Sequence, residues 1–266
     1  MIISARTRVF ALLGDPVGHS LSPRMQNAAF TALGLDAVYV ALRVSAATLP
    51  TVMRSLAEAG GGGNVTVPHK LMAASAVDRM QGPLTSACNL FWHDGQALVG
   101  DNSDVAGILA GLHALGAPAS DWLVLGTGGS ARAVLAAARE RGARVLVRSR
   151  DGARAAAMQE AGRLMGVEPA DVRACEVVIN ATPVGLAASD PLPFEPADLP
   201  QLHFALDLVY GARETRWVRA MRDTGRQAAD GREVLVAQGA VALERWFPGR
   251  RAPLDVMRAS VRAALG

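Results

Sequence analysis

The sequence predicts an α/β protein built as two domains, on three observations. Short apolar runs alternate with helical stretches through the first hundred or so residues, and a second alternation of the same kind starts near Trp122. The length, 266 residues, suits two ordinary domains, and a hydrophobic content of 50% with 19% charge supplies apolar matter for a sizeable core.

The first alternation runs in order. Val9 to Leu13 is an uninterrupted apolar run that stops at Gly14 and reads as a buried strand. A helix follows from about Pro23 to Leu33, then a strand from Val38 to Leu42, a helix from about Ala47 to Ala59, a strand from Gly63 to Val67 and a helix after Pro68. This order argues for a parallel or mixed sheet covered by helices. Ser103 to Leu115 carries apolar residues at Val105, Ile108, Leu109 and Leu112 and reads as a connecting helix. The second alternation has a strand at Trp122–Leu125, a glycine turn, an Ala-rich helix from Ser130 to Arg141 and a strand at Arg144–Val147. Further strands fall at Val177–Asn180 and Phe204–Leu208. Gly239 to Leu265 is helical again and is expected to return to the first domain. The expected boundaries are therefore 1–104 completed by 239–266, and 105–238 for the second domain.

Composition narrows the function classes. The formal charge is +3 and the arginines are scattered, so no nucleic-acid partner is expected, while anionic small molecules fit. Every Ala- or Leu-rich stretch is broken by Arg, Asp or Gly, leaving no apolar run of about 18 residues for a membrane span. Val9–Leu13 is too short for an export segment, and a cytoplasmic location is expected. Cys88 and Cys175 have no metal-ligand spacing, so neither a metal nor a disulfide is expected. Among 27 Lys+Arg residues the only lysine is Lys70. Lysine can give and take a proton where arginine cannot, and a chain that keeps one lysine beside a Gly/Asn/Thr/Pro loop suggests a site that needs one.

Four segments carry chemistry. Gly126-Thr127-Gly128-Gly129-Ser130-Ala131 follows a strand and opens a helix, the setting in which a pyrophosphate approaches backbone N–H groups; the second domain thus reads as a Rossmann dinucleotide-binding domain. The end of its second strand reads Val147-Arg148-Ser149-Arg150, with Arg154 beyond. An acidic residue there would suit a ribose hydroxyl, whereas arginine accommodates a 2′-phosphate, so NADP is favoured and NAD is the alternative. In the first domain Ser20 and Ser22 precede a helix, where they either cap it or bind a carboxylate. Asn64 and Thr66 alternate along one face of a strand, and Lys70 starts the next helix. Asp104 either caps the connecting helix or pairs with Lys70 as a proton-transfer dyad for a hydroxyl/ketone interconversion in a cleft between the domains.

Taken together these segments resemble the shikimate dehydrogenase family. G-D-P-V-G-H-S-L-S-P from Gly14, G-x-N-V-T-V-P-H-K ending at Lys70, G-x-N-S-D ending at Asp104 and the glycine loop from Gly126 occur in the family's order. So do N-A-T-P-V-G-L from Asn180, D-L-V-Y from Asp207 and V-A-Q-G-A-V-A-L-E-R-W ending at Trp246. The resemblance implies an N-terminal α/β substrate domain followed by the Rossmann domain, and NADP-dependent reduction of 3-dehydroshikimate to shikimate in aromatic amino acid biosynthesis. It implies that Ser20 and Ser22 bind the substrate carboxylate, and that Asn64, Thr66, Asn89 and Gln238 bind ring hydroxyls, with Tyr210 near the ring. Lys70 and Asp104 would manage the proton. Gly126, Thr127, Gly128, Gly129 and Ser130 would hold the pyrophosphate, Ser149, Arg150 and Arg154 the ribose phosphate, and Leu208 and Gly231 the nicotinamide side. The expected partner is a small ring carboxylic acid, bound by a monomer or homodimer. Leu90 and Asp151 stand where the family has threonine, which keeps quinate or a related ring acid, and a non-catalytic NADP(H)-binding protein, as alternatives.

Overall fold

The computed structural model describes residues 3–187, 189–195, 197, 199, 201–211 and 213–264. The chain divides into two compact units, Met1–Asp104 with Leu235–Gly266, and Val105–Val234. The return to the first unit falls at Leu235 and not at Gly239, because the helix that makes it already begins at Arg232.

The first unit contains β1 (Arg8–Gly14), α1 (Ser22–Ala32), β2 (Ala37–Arg43), α2 (Leu49–Glu58), β3 (Gly62–Val65), α3 (Lys70–Ala76), β4 (Arg79–Met80), β5 (Leu90–His93) and β6 (Leu98–Asp101). Its strands form one mixed sheet in the order β2-β1-β3-β5-β6-β4. β1 pairs in parallel with both β2 and β3, while β5 is antiparallel to β3 and β6. The last five residues of β1 are all buried, which is why it reads as an unbroken apolar run. Gly63 is glycine because a Cβ there would lie 2.1 Å from the Ala11 carbonyl oxygen of β1.

Two sequence expectations need correcting here. β3 stops at Val65, and the Thr66 carbonyl accepts from the His69 N–H at 2.9 Å, so the chain turns over Thr66–His69 and both Thr66 and Val67 lie beyond the strand. The pair β5–β6 is an antiparallel hairpin absent from the sequence reading. Its turn is Asp94–Ala97, with Gly95 at φ 96° and Asp94 Oδ1 accepting from the N–H groups of Gln96 (3.0 Å) and Ala97 (2.9 Å).

The C-terminal segment is two helices, not one stretch from Gly239. α8 (Arg232–Trp246) and α9 (Leu254–Ala264) are separated by a turn with Pro248, Pro253 and Gly249 at φ 82°. Trp246 Nε1 donates to the Phe91 carbonyl at 3.2 Å, and its ring lies tilted against Phe10, with centroids 4.8 Å apart. Gly239 lets α8 approach α1, since a Cβ would meet Met25 Cε at 2.3 Å. The adjacent carbonyl contact, Gln26 Nε2 to Gly239 O at 2.9 Å, ties the two helices.

The second unit runs α4 (Asp104–Ala114), β7 (Asp121–Leu125), α5 (Gly129–Arg141), β8 (Arg144–Arg148), α6 (Gly152–Leu164), β9 (Cys175–Asn180), β10 (Phe204–Asp207), α7 (Arg216–Asp223) and β11 (Gln227–Ala229). The sheet is all parallel, in the order β11-β10-β9-β7-β8. An isolated parallel bridge joins Val145 of β8 to Pro169, where a further strand would lie. With that bridge as the third strand, the order is the 3-2-1-4-5-6 of a dinucleotide-binding sheet. The sequence reading had no α6, α7 or β11.

Candidate active site

Parallel strands bring chemistry to their carboxyl ends, and in the first unit the topology collects four loops on one edge. β1 and β3 end there at Gly14 and Val65. The antiparallel β5 starts there, with Leu90 opposite both Asn64 and Asp101, and β6 ends there at Asp101. The residues expected to touch substrate, except Tyr210, lie near the end of β3 (Asn64), in these loops (Ser20, Thr66, Asn89), at the helix starts that follow them (Ser22, Lys70, Asp104) or on α8 (Gln238).

Lys70 is the first residue of α3 and Asp104 the first of α4. Lys70 Nζ donates to Asp104 Oδ2 at 2.5 Å, with the two side chains 10% and 15% exposed. The other carboxylate oxygen, Asp104 Oδ1, accepts from Asn89 Nδ2 at 2.7 Å. Both oxygens are thus committed to side chains, so Asp104 does not cap α4. Asn102 serves the helix start instead, its Oδ1 accepting from the Asp104 N–H at 3.1 Å. Asn89 Oδ1 accepts from the Ser103 N–H at 2.7 Å. Ser103 Oγ lies 3.3 Å from Gln238 Oε1, which joins α8 to the same network. Asn64 is buried and held twice: its Oδ1 accepts from Tyr39 Oη at 2.8 Å and its Nδ2 donates to the Asn89 carbonyl at 3.0 Å. The structure therefore brings Lys70, Asp104, Asn89, Asn64 and Gln238 together. It adds Tyr39, Asn102 and Ser103, which the sequence reading did not single out.

Ser20 and Ser22 form a pair of their own, with Ser20 Oγ donating to Ser22 Oγ at 3.2 Å. The residue at the cap position of α1 is Leu21, with no side-chain cap among the described residues; Ser20 Oγ accepts from the Ser22 N–H at 3.2 Å. Thr66 is half-buried, and its Cγ2 occupies the space a Gly14 side chain would need, which seats the loop after β1 against the loop after β3. The Asp15 N–H donates to the Val67 carbonyl at 3.1 Å across the same loops. Leu90 is fully buried, so its difference from the family's threonine falls in the core.

In the second unit the same edge carries the expected nucleotide residues. Gly126 follows β7 at φ 113°, and a Cβ there would lie 2.9 Å from the Ala181 carbonyl oxygen. Gly128 precedes α5 at φ −87°, and a Cβ there would point into open space. That space leaves room for a pyrophosphate against the N-terminus of α5, and Ala131, fully buried, suits the third small position of such a loop. Gly129 and Ser130 form the first turn of α5, and Thr127 lies half-buried in the loop before it. After β8, Arg150 and Arg154 are exposed and Ser149 is half-buried. Asp151 is the cap of α6, its Oδ1 accepting from the Arg154 N–H at 3.1 Å. Its carboxylate is thereby engaged in the helix start, a duty a threonine also performs. Leu208 follows β10, and Gly231 packs against it so closely that a Cβ would lie 2.5 Å from the Leu208 carbonyl oxygen. Tyr210, half-buried, belongs to this unit. The glycine turn, the open space at Gly128 and the arginines fit a phosphorylated dinucleotide.

Residues 12–89 match the family model of the shikimate dehydrogenase substrate binding domain, and residues 231–262 that of the shikimate 5′-dehydrogenase C-terminal domain. The shikimate dehydrogenase (NADP(+)) of Methanothrix thermoacetophila is 39% identical over 97% of this chain and 98% of its own. That of Microcystis aeruginosa is 36% identical, covering 97% of each chain. Among solved structures, the Thermus thermophilus shikimate 5-dehydrogenase in complex with NADP(H) and shikimate is 33% identical, with a TM-score of 0.83 over 96% of this chain and 99% of its own. The Aquifex aeolicus shikimate dehydrogenase is 30% identical, with a TM-score of 0.87 over 98% of this chain and 100% of its own. On identities of this size over nearly the whole length, the chain belongs to the shikimate dehydrogenase family.

Proposed function

We propose that the chain is an NADP-dependent shikimate dehydrogenase, interconverting 3-dehydroshikimate and shikimate in the synthesis of aromatic amino acids. The observation that carries the reading is the 2.5 Å pair of Lys70 and Asp104, steadied by Asn89, in a chain with no other lysine. When bound, NADPH supplies the hydride that reduces the ring ketone. Lys70 holds the proton that the ketone oxygen takes up as it becomes a hydroxyl, and returns to it in the reverse direction. Asp104 fixes where the ammonium points, and Asn89 fixes the carboxylate. Ser20 and Ser22 bind the substrate carboxylate through their hydroxyls, and Asn64, Thr66, Asn89 and Gln238 set the ring hydroxyls, with Tyr210 near the ring. Gly126, Thr127, Gly128, Gly129 and Ser130 hold the pyrophosphate, and Ser149, Arg150 and Arg154 the 2′-phosphate, so NAD is the poorer cofactor. Leu208 and Gly231 line the nicotinamide side. The two cysteines are free and buried, in keeping with a cytoplasmic enzyme. Among the described residues no helix is long and apolar enough to cross a membrane.

The test follows the absorbance of reduced nicotinamide while shikimate, quinate and related ring acids are offered with NADP and with NAD. Fastest turnover is expected for shikimate with NADP. Faster turnover of quinate would reassign the substrate, and no turnover of any acid would leave a nucleotide-binding protein without this activity.

A further inference from the structure

Asn180, Thr182 and Asp207 belong to the two motifs at the ends of β9 and β10, and none of the three has a part in the chemistry above. Asp207, the last residue of β10, is fully buried. Its Oδ1 accepts from Asn180 Nδ2 at 2.8 Å and from the Val209 N–H at 3.1 Å, and its Oδ2 accepts from Thr215 Oγ1 at 2.8 Å. Asn180, the last residue of β9, is itself saturated. Its Nδ2 also donates to the Val184 carbonyl at 3.0 Å, and its Oδ1 accepts from Thr182 N (3.1 Å) and Thr182 Oγ1 (2.7 Å). Thr215 caps α7, accepting from the Val218 N–H at 3.2 Å. The Leu208 N–H donates to the Asn180 carbonyl at 3.0 Å, and the Gly231 N–H to the Val209 carbonyl at 3.0 Å.

One carboxylate thus fixes the loop after β9, the loop after β10 and the start of α7, and through Val209 the turn after β11. A buried carboxylate whose partners are all neutral is expensive. Burial, with the nearby Asp230 adding repulsion, pushes the Asp207 carboxyl up to about 6. Apolar side chains in place of Asp207, Asn180 and Thr215 together would fill the same space without a buried charge, so stability alone does not account for an acid here. What the acid adds is a fixed shape at three strand ends.

We propose that Asp207 is a positioning residue for the dinucleotide, holding Leu208, Val209 and Gly231 and the Thr182–Val184 turn in the shape that receives the nicotinamide half. The proposal rests on the reading of Leu208 and Gly231 as the nicotinamide side. Asp207 touches neither substrate nor cofactor and acts through these backbone segments.

The test compares equilibrium binding of NADPH with that of adenosine 2′,5′-bisphosphate, which has the adenosine and 2′-phosphate but no nicotinamide, in wild type, Asp207→Ala and Asp207→Asn. Each variant is first checked for native circular dichroism at the working temperature. The alanine variant loses three hydrogen bonds to a charged group, and its Kd for NADPH is expected to rise roughly tenfold or more. The asparagine variant keeps an acceptor for Asn180 and Val209, folds more readily, and is expected to lose about threefold or more. In both, the bisphosphate should bind within about twofold of wild type. NADPH affinity unchanged in either folded variant overturns the proposal. So does equal loss for both ligands, which is the signature of general loosening. A wild-type protein that binds the bisphosphate but gains nothing from the nicotinamide half would overturn the reading of Leu208 and Gly231 instead.

Discussion

Lys70 shows at the scale of one residue how composition points to chemistry. In a chain that uses arginine everywhere else, the one lysine heads α3 and meets Asp104 at 2.5 Å. Lys70→Arg keeps the charge and the donors but substitutes a guanidinium that stays protonated at any working pH and so cannot cycle. Steady-state kinetics are expected to show kcat lower by about 10² to 10⁴, with substrate KM moving less. A variant with near-wild-type kcat would hand the proton to Asp104 or to solvent. The pair was legible because both members sit in motifs beside helix starts. Tyr39 was not legible: it reaches Asn64 across 25 residues of sequence through strand pairing, and its apolar neighbours Val38 and Val40 mark it only as strand. The choice between capping and carboxylate binding at Ser20 and Ser22 was likewise open to local pattern, since it depends on where α1 begins.

At the scale of the element, the glycine loop separates two duties that a sequence pattern merges. Gly126 is required by backbone, at φ 113° with Ala181 close behind it, whereas Gly128 has an ordinary φ of −87° and open space where a side chain would go. Gly126→Ala is therefore strained and expected to lose about 1–3 kcal/mol of stability along with cofactor binding. Gly128→Ala should keep stability within about 1 kcal/mol, yet weaken NADPH roughly tenfold, because the methyl group takes the room of the pyrophosphate. Thermal melts beside NADPH titrations check both, and a Gly128→Ala variant with wild-type affinity would remove the pyrophosphate from this turn. The elements the sequence reading found were those with long apolar runs or clear helical periodicity. It passed over β5 and β6, four residues each, although Asp94-Gly95 between them is a strong hairpin signal. It missed β11 as well, three residues whose pairing with β10 comes from the sheet and not from propensity.

At the scale of the whole molecule, the two-unit division was legible because the C-terminal helices follow a complete nucleotide-binding alternation, whereas the bridge at Pro169 was not, since a single paired residue leaves no pattern. The buried Asp207 gives this molecule a stability that depends on pH in a stated direction. Its folded pKa of about 6 lies above the ordinary 3.8, with burial the main cause. The stability it contributes is thus fully present below the unfolded value and is lost as pH rises through about 6. A rise of about two units corresponds to roughly 3 kcal/mol at full development. Asp78 works the other way: hydrogen bonds from Arg54 and the Leu98 N–H hold it down to about 2, so its contribution is lost only as pH falls below the ordinary carboxylate range. Between about pH 4 and pH 7 the Asp207 effect therefore stands clear of Asp78. Melting temperatures across that window are expected to fall more steeply with rising pH in the wild type than in Asp207→Asn, whose side chain does not titrate. Groups common to both proteins cancel in the difference. Parallel curves would mean that the three donors around Asp207 already offset its burial and that the acid is ionised at no net cost.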